Sequence, residues 1–214
     1  MTKSDVKAVA FDVDGTLVRE NFWTALNRMG GIPEEEDRRL GERYAEGELA
    51  YRDWMEEIAR SLRRNSHPRD EVEKMLARYR LVPGARDVVE HLSRFPLALV
   101  SSNIDLYVAD VARKLGISHA YGYCRIEYDE RGLFAGIGFR SDKDELEHKV
   151  EALRDFATKS GVSLSEIAFV GDSRNDLAAF TATGRGILVG EGNEDLRRAA
   201  WKRVATLSEI LKIL

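Results

Sequence analysis

The stretch Ala8-Val9-Ala10-Phe11-Asp12-Val13-Asp14-Gly15-Thr16-Leu17 decides how the rest of the chain is read. It is apolar up to Phe11, then sets two carboxylates two residues apart and turns at Gly15. The simplest physical picture is a buried strand that delivers Asp12 and Asp14 to its carboxyl end. In a regular strand, residues i and i+2 point to the same side. Two like charges so close repel, and either a metal ion or a retained proton must offset them. On this stretch alone, an ordinary strand followed by a turn at Asp14-Gly15 explains the residues equally well.

Working outward, apolar residues recur at helical spacing in four successive segments. They are Phe22, Ala25, Leu26 and Met29; Leu40 and Tyr44; Tyr51, Trp54, Met55, Ile58 and Leu62; and Val72, Met75, Leu76 and Tyr79. Gly30-Gly31 and Gly47 end the first two, and Pro33 opens the second with the acidic turn that helix N-termini favour. No strand pattern interrupts them. Residues 19–81 are therefore expected to form a helical cap domain inserted between residues 1–18 and 82–214 of an α/β core domain, although helices that merely continue the main core would show the same pattern. After Pro83-Gly84 strand and helix alternate. Leu97-Ala98-Leu99-Val100, ending in Ser101-Ser102-Asn103, and Ile167-Ala168-Phe169-Val170-Gly171 read as buried strands. Asp105 is the expected N-cap of a helix through Leu115. The turn at Asp129 to Gly132 joins a hairpin. A helix from about Leu146 to Lys159 turns Val150, Leu153 and Phe156 inward, and Ile210 to Leu214 close the chain as a helix. This alternation predicts an open, mostly parallel, Rossmann-like α/β sheet with an inserted helical cap domain.

Length and composition fit that plan. The chain has 214 residues, 43% hydrophobic and 33% charged, enough for one sizeable core with a smaller insert. A formal charge of −4 offers no polyanion footprint, so nucleic acid is not expected as a partner. The single cysteine, Cys124, excludes an intrachain disulfide and reads as a small buried residue. The polar residues Met1 to Lys7 lead straight into the first strand. With no apolar run long enough to span a bilayer, no signal peptide and no membrane association are expected, and the cytoplasm is the expected location. The quaternary expectation is a monomer or homodimer.

In open α/β sheets, ligands bind beyond the carboxyl ends of the strands. Three strands here end in polar groups: Asp12 and Asp14; Ser101, Ser102 and Asn103; and Asp172 with Asn175 and Asp176. If these strands are neighbours, four carboxylates meet, and they need a cation. Carboxylate oxygens with water and phosphate are what Mg²⁺ prefers. His67, His91, His119 and His148 have no spacing that suggests a triad or a metal site.

On these residues the chain resembles the haloacid dehalogenase superfamily of phosphohydrolases, and most of all its phosphoserine phosphatase branch. Asp12-Val13-Asp14-Gly15-Thr16 stands for the first motif, Ser101 for the second, Lys149 for the phosphate-binding lysine, and Gly171-Asp172-Ser173-Arg174-Asn175-Asp176 for the fourth motif. The resemblance covers nearly the whole chain. It implies an Mg²⁺-dependent phosphomonoesterase in which Asp12 is the nucleophile and forms an aspartyl-phosphate. Asp14 would protonate the leaving oxygen and later take a proton from water. Asp12, the main-chain carbonyl of Asp14 and Asp172 would hold the metal, with Asp176 in support. Ser101, Lys149, the amide of Ser102 and Asn175 would hold phosphoryl oxygens. The partner would be a small phosphorylated metabolite.

The resemblance fails in the cap. Members specific for phosphoserine carry a glutamate for the substrate amine and an arginine for its carboxylate. Here Asn21 stands at the glutamate position, with Glu20 one residue earlier, Ile58 at the arginine position and Tyr51 where an aromatic is expected. Losing dedicated polar partners can cost roughly 10⁴–10⁵ in discrimination, which counts against phosphoserine unless Arg52, Arg60 or Glu20 substitutes. Trp23, Tyr51 and Trp54 fit a ring-bearing or apolar leaving group, and they fit core packing as well. The alternatives are a phosphotransferase using the same aspartyl-phosphate, a phosphoserine phosphatase with shifted cap contacts, and a non-catalytic phospholigand-binding protein.

Overall fold

A computed structural model describes residues 5–19 and 21–214. Glu20, named above as a possible cap substitute, lies outside the described residues. Strand β1 (Ala8–Phe11) is the middle of a seven-stranded sheet. It pairs in parallel with β2 (Leu97–Ile104) on one side and β5 (Ile167–Gly171) on the other. Beyond β2 lie β3 (His119–Tyr128) and, antiparallel at the edge, β4 (Phe134–Phe139). Beyond β5 lie β6 (Gly186–Val189) and β7 (Lys202–Val204), both parallel. The chain builds outward from β1 through β2 and β3, then returns to the other side of β1 as β5. That reversal opens a crevice at the carboxyl ends of β1 and β5, where such sheets bind ligands. The expected neighbours are neighbours.

The central strands are apolar throughout because both faces are covered. Val9, Phe11, Leu97, Leu99, Ala168 and Val170 face one core, and Ala8, Ala10, Ala98, Val100, Ile167 and Phe169 face the other. The second core is closed by α7 (Glu145–Ser160), α8 (Leu177–Thr183) and α9 (Glu194–Ala199). The first is closed by α5 (Ala85–His91) and α6 (Asp105–Leu115).

Between β1 and α5 the described chain is helical: α1 (Phe22–Met29), α2 (Glu34–Glu46), α3 (Tyr51–Asn65) and α4 (Arg69–Leu76). The segments entering and leaving this insert run side by side. Val18 bridges Leu81, Arg19 N–H donates to the Arg80 carbonyl at 3.0 Å, and Val82 N–H donates to the Leu17 carbonyl at 2.9 Å. The architecture is the expected one, an open, mostly parallel sheet with an inserted helical cap.

Several local expectations need correction. Ser101, Ser102 and Asn103 lie inside β2, which runs on to Ile104, and all three are buried. The cap of α6 is Ile104, and Asp105 is its first helical residue. On α7 the inward position is Lys149, with Val150 only half-buried. Tyr79 follows α4 instead of extending it. The chain closes as a short 3₁₀ helix, Leu207–Lys212. β7 escaped notice because three residues are too few to show alternation.

Candidate active site

Asp12 follows β1 directly, and its N–H donates to the Val170 carbonyl at 2.9 Å, extending the pairing with β5. Its side chain is nearly fully buried. Oδ1 lies 3.3 Å from Lys149 Nζ, close enough for an ion pair but not aligned as a hydrogen bond. Burial raises the Asp12 pKa and the Asp176 charge adds to this, while the Lys149 ammonium opposes it.

The chain then turns. The Val13 carbonyl accepts from the N–H groups of Leu17 at 2.8 Å and Val18 at 2.9 Å. Gly15 has φ +76°, and a Cβ there would stand 2.2 Å from Asp172 Oδ2. Glycine is therefore required both by conformation and by the close approach of Asp172. Thr16 Oγ1 donates to Asp172 Oδ1 at 3.1 Å. Because the strand ends at Phe11, the same-side rule does not govern Asp12 and Asp14, and they take different partners. Asp14 Oδ1 accepts from the Tyr107 hydroxyl at 2.7 Å. Its Oδ2 accepts from Phe22 N–H at 2.7 Å and from Asn103 Nδ2 at 3.0 Å. Burial pushes the Asp14 pKa up to about 7 against the opposing bonds from Phe22 and Tyr107.

Lys149 reaches the site from α7 with no solvent exposure. Its Nζ lies 2.6 Å from Asp176 Oδ1 and 2.9 Å from Asn175 Oδ1. Burial works against its proton, but the charges of Asp12 and Asp176 outweigh burial and raise its pKa. Asp176 Oδ2 accepts from the N–H groups of Asp172 at 3.0 Å and Ser173 at 3.1 Å. Asp176 thus holds both the lysine and the turn that carries Asp172. Burial, with the charges of Asp176 and Asp12, pushes Asp172 up to about 8.

Among the described residues, Asp12, Asp172 and Asp176 offer carboxylate oxygens within 4.8 Å of one another. One lysine stands among two buried carboxylates, Asp12 and Asp176, and the half-buried Asp172; Asp12 Oδ1 lacks a hydrogen-bond partner among the described residues, and only a glycine fits beside Asp172. An all-oxygen donor set with surplus negative charge fits a hard divalent cation.

Above these groups lies a cavity of about 410 Å³. The core lines it with Asp12, Asp14, Ser101, Ser102, Asn103, Asp172 and Asn175, and the insert with Asn21, Trp23, Tyr44, Tyr51 and Trp54. Ser101 Oγ accepts from Asn103 N–H at 3.4 Å. The register between β2 and β3 breaks between Ser101 and Ile104, an irregularity of the kind found beside active sites. Ser102 Oγ is buried without a partner among the described residues, and the Ser102 carbonyl accepts from the Tyr51 hydroxyl at 2.6 Å. Asn21 caps α1 by accepting from Trp23 N–H at 2.9 Å. Every sequence-predicted site residue therefore meets at this cavity except Lys149 and Asp176, which are buried immediately beneath it.

The insert is fastened over the cavity. Arg174 Nη1 donates to the Ala45 carbonyl at 2.5 Å, and the Tyr44 hydroxyl donates to Glu145 at 2.8 Å. Arg52 donates to the Ser141 carbonyl at 2.6 Å and Arg60 pairs with Glu57, so neither lines the cavity. Ile58 is packed in the core. The arginines that do line it are Arg19 and Arg174. Sequence reasoning missed these two, along with Tyr44 as a wall residue and Tyr107 as a partner of Asp14. Tyr44 lay in a helical stripe that reads as packing, and no spacing marked the others.

Comparison with known proteins agrees with this geometry. The family model for haloacid dehalogenase-like hydrolases matches residues 9–181. A phosphoserine phosphatase of Streptococcus thermophilus is 32% identical over 189 residues, spanning 86% of this chain and 84% of that protein. One of Archaeoglobus fulgidus is 27% identical over 183 residues, where the match spans 85% of this chain but 52% of the relative's length. A solved phospho-aspartyl intermediate analogue of phosphoserine phosphatase superposes with a TM-score of 0.84 at 27% identity, covering 98% of this chain and 99% of that one. Among the described residues no helix is long and apolar enough to cross a membrane. The chain belongs to the haloacid dehalogenase-like hydrolases, and within them to the phosphoserine phosphatase-like branch of phosphatases.

Proposed function

We propose that the protein is an Mg²⁺-dependent phosphomonoester hydrolase that forms an aspartyl-phosphate on Asp12, with residues 19–81 as the cap that selects the leaving group. The observation that carries this reading is the meeting of Asp12, Lys149 and Asp172 beneath a ring-lined cavity. Asp12, the Asp14 carbonyl and Asp172 would hold the metal, supported by Asp176. A bound Mg²⁺ would supply charge neutralisation, for the carboxylates and for the transferring phosphoryl group. Asp12 attacks phosphorus, the bond to the leaving oxygen breaks, and Asp14 gives that oxygen its proton. Asp14 then takes a proton from the water that attacks phosphorus, which releases phosphate and restores Asp12. Ser101, the Ser102 amide, Asn175 and Lys149 hold phosphoryl oxygens, and the long contact from Lys149 to Asp12 is the one the ammonium can exchange.

The leaving group we propose is small and apolar or ring-bearing, and it is not serine. Supporting this, Tyr44 and Trp54 lie 5.1 Å apart by ring centroids, Tyr44 and Tyr51 5.7 Å, and Trp23 and Tyr51 6.2 Å, so the cap's share of the wall is largely aromatic. Ile58 has no way to meet a carboxylate. A second reading, favoured by the names of the relatives, is phosphoserine hydrolysis with Arg19 or Arg174 in the role of the missing cap arginine. A panel of phosphorylated metabolites with and without Mg²⁺ decides between them. Ring-bearing monoesters should be turned over ahead of phosphoserine, and only with the cation. Phosphoserine as the best substrate would establish the second reading. Acceptor-dependent loss of free phosphate would make the enzyme a phosphotransferase, and tight binding without turnover would overturn the enzyme reading.

A further inference from the structure

We infer that Tyr107 is a positioning residue for Asp14, choosing which carboxyl oxygen carries the proton that goes to the leaving group. This rests on the reading of Asp14 as the general acid. A carboxylate offers about four lone-pair sites. On Asp14, the described residues occupy three: Phe22 N–H and Asn103 Nδ2 fill Oδ2, and the Tyr107 hydroxyl takes one site on Oδ1. One site remains, and it is on Oδ1. The proton that Asp14 delivers must sit there, on a carboxyl group that borders the cavity. Tyr107 keeps its own proton throughout and only donates a hydrogen bond.

The tyrosine is well built for this task. It is 1% exposed, and its ring is held between the two segments that join insert and core. It stacks on Phe22, the first residue of α1, at 4.7 Å and 24°. It meets Tyr79, just beyond α4, edge-on at 5.3 Å and 84°. Tyr79 is in turn fixed by its hydroxyl bond to Asp110 at 2.8 Å and by Lys114 Nζ, 4.1 Å above its ring. The hydroxyl therefore has a set position, and the Phe22 N–H on the opposite oxygen comes from the insert itself. The clamp on Asp14 is complete only with α1 seated.

The test is leaving-group dependence in Tyr107→Phe, which keeps the ring and removes only the hydroxyl. A general acid matters most for poor leaving groups. With Mg²⁺ present, kcat/KM, which reports only the first half-reaction and not the water attack that all esters share, should fall about 10- to 100-fold on phenyl phosphate, the worth of a hydrogen bond to a charged group. On p-nitrophenyl phosphate, whose leaving group needs little protonation, the loss in kcat/KM should stay within about 3-fold. Asn103→Ser should show the same bias in weaker form, and it stands in should Tyr107→Phe not fold. Asp14→Asn is the control. If it discriminates sharply between the two esters while Tyr107→Phe and Asn103→Ser lose equally on both, Tyr107 is merely structural and the inference is wrong. If Asp14→Asn itself loses equally on both, the general-acid reading fails and the inference falls with it.

Discussion

Replacing Lys149 by methionine isolates the electrostatics of the site. Methionine keeps an unbranched side chain of similar reach in α7 but removes the ammonium. In the native protein that ammonium has no exposure and stands 2.6 Å from Asp176 Oδ1, itself fully buried, and 3.3 Å from Asp12 Oδ1. Removing one member of a buried pair leaves an uncompensated charge, which costs about 3–5 kcal/mol. For a chain of this size each kcal/mol lowers Tm by about 2–4 °C, so the drop should be roughly 6–20 °C. The assay is denaturant and thermal unfolding by circular dichroism at pH 8 and pH 5, without divalent cations. Burial already raises the Asp12 pKa and the Lys149 ammonium holds it down, so without the lysine it moves further up. The unfolded carboxylate ionises near pH 4, so the variant loses stability as pH rises from there through that raised value, and the deficit must be larger at pH 8 than at pH 5. Adding Asp176→Asn removes the stranded charge and should recover at least half of the lost stability. Activity should stay absent in both variants, because Asp12 and the phosphoryl oxygens still lack their cation. A single variant within about 1 kcal/mol of wild type, or a double variant no more stable than the single, would refute the argument.

Two other consequences follow from the same cluster. Gly15→Ala combines a left-handed φ of +76° with a Cβ 2.2 Å from Asp172 Oδ2; it should cost about 1–2 kcal/mol in strain and displace Asp172, so the Mg²⁺ concentration for half-maximal activity should rise at least several-fold in a phosphate-release assay, and unchanged Mg²⁺ dependence would count against Asp172 as a ligand. Asp14 and Asp172 move from 3.8 when unfolded to about 7 and about 8 when folded; the folded state keeps protons that the unfolded state gives up, so the cation-free protein should lose stability as pH rises from about 4 to about 8, and Mg²⁺ should restore more stability at pH 8 than at pH 5 in the same unfolding assay.

How much of this was legible in the sequence follows from what each residue touches. The runs Ala8 to Phe11, Leu97 to Val100 and Ile167 to Val170 betray their place because a strand covered on both faces must be apolar throughout. Ser101 to Asn103 hide the end of β2, since polar residues there suggest that the strand has stopped, yet pairing with β3 resumes at Ile104. Lys149 defeats periodicity: a buried lysine is tolerable only beside Asp12 and Asp176, and they are remote in sequence, so only the motif pattern reveals it. Asp12 and Asp14 read as a same-side pair, but the turn at Gly15 gives them unlike partners. Tyr107 and Arg174 were invisible for a related reason. Each acts on a group far along the chain, Asp14 and the end of α2 respectively; nothing local marks Tyr107, and the motif that contains Arg174 gives it no role.

The central claim is that Asp12 carries the phosphoryl group between two half-reactions. A single-turnover reaction with Mg²⁺ and the best monoester from the panel, quenched in acid and followed by peptide mass spectrometry, tests it directly. The account predicts a phosphorylated peptide containing Asp12 that accumulates and decays on the timescale of turnover, and neither this peptide nor phosphate release in Asp12→Asn. Undiminished turnover by Asp12→Asn, or a phosphoryl group found on another residue, would contradict it.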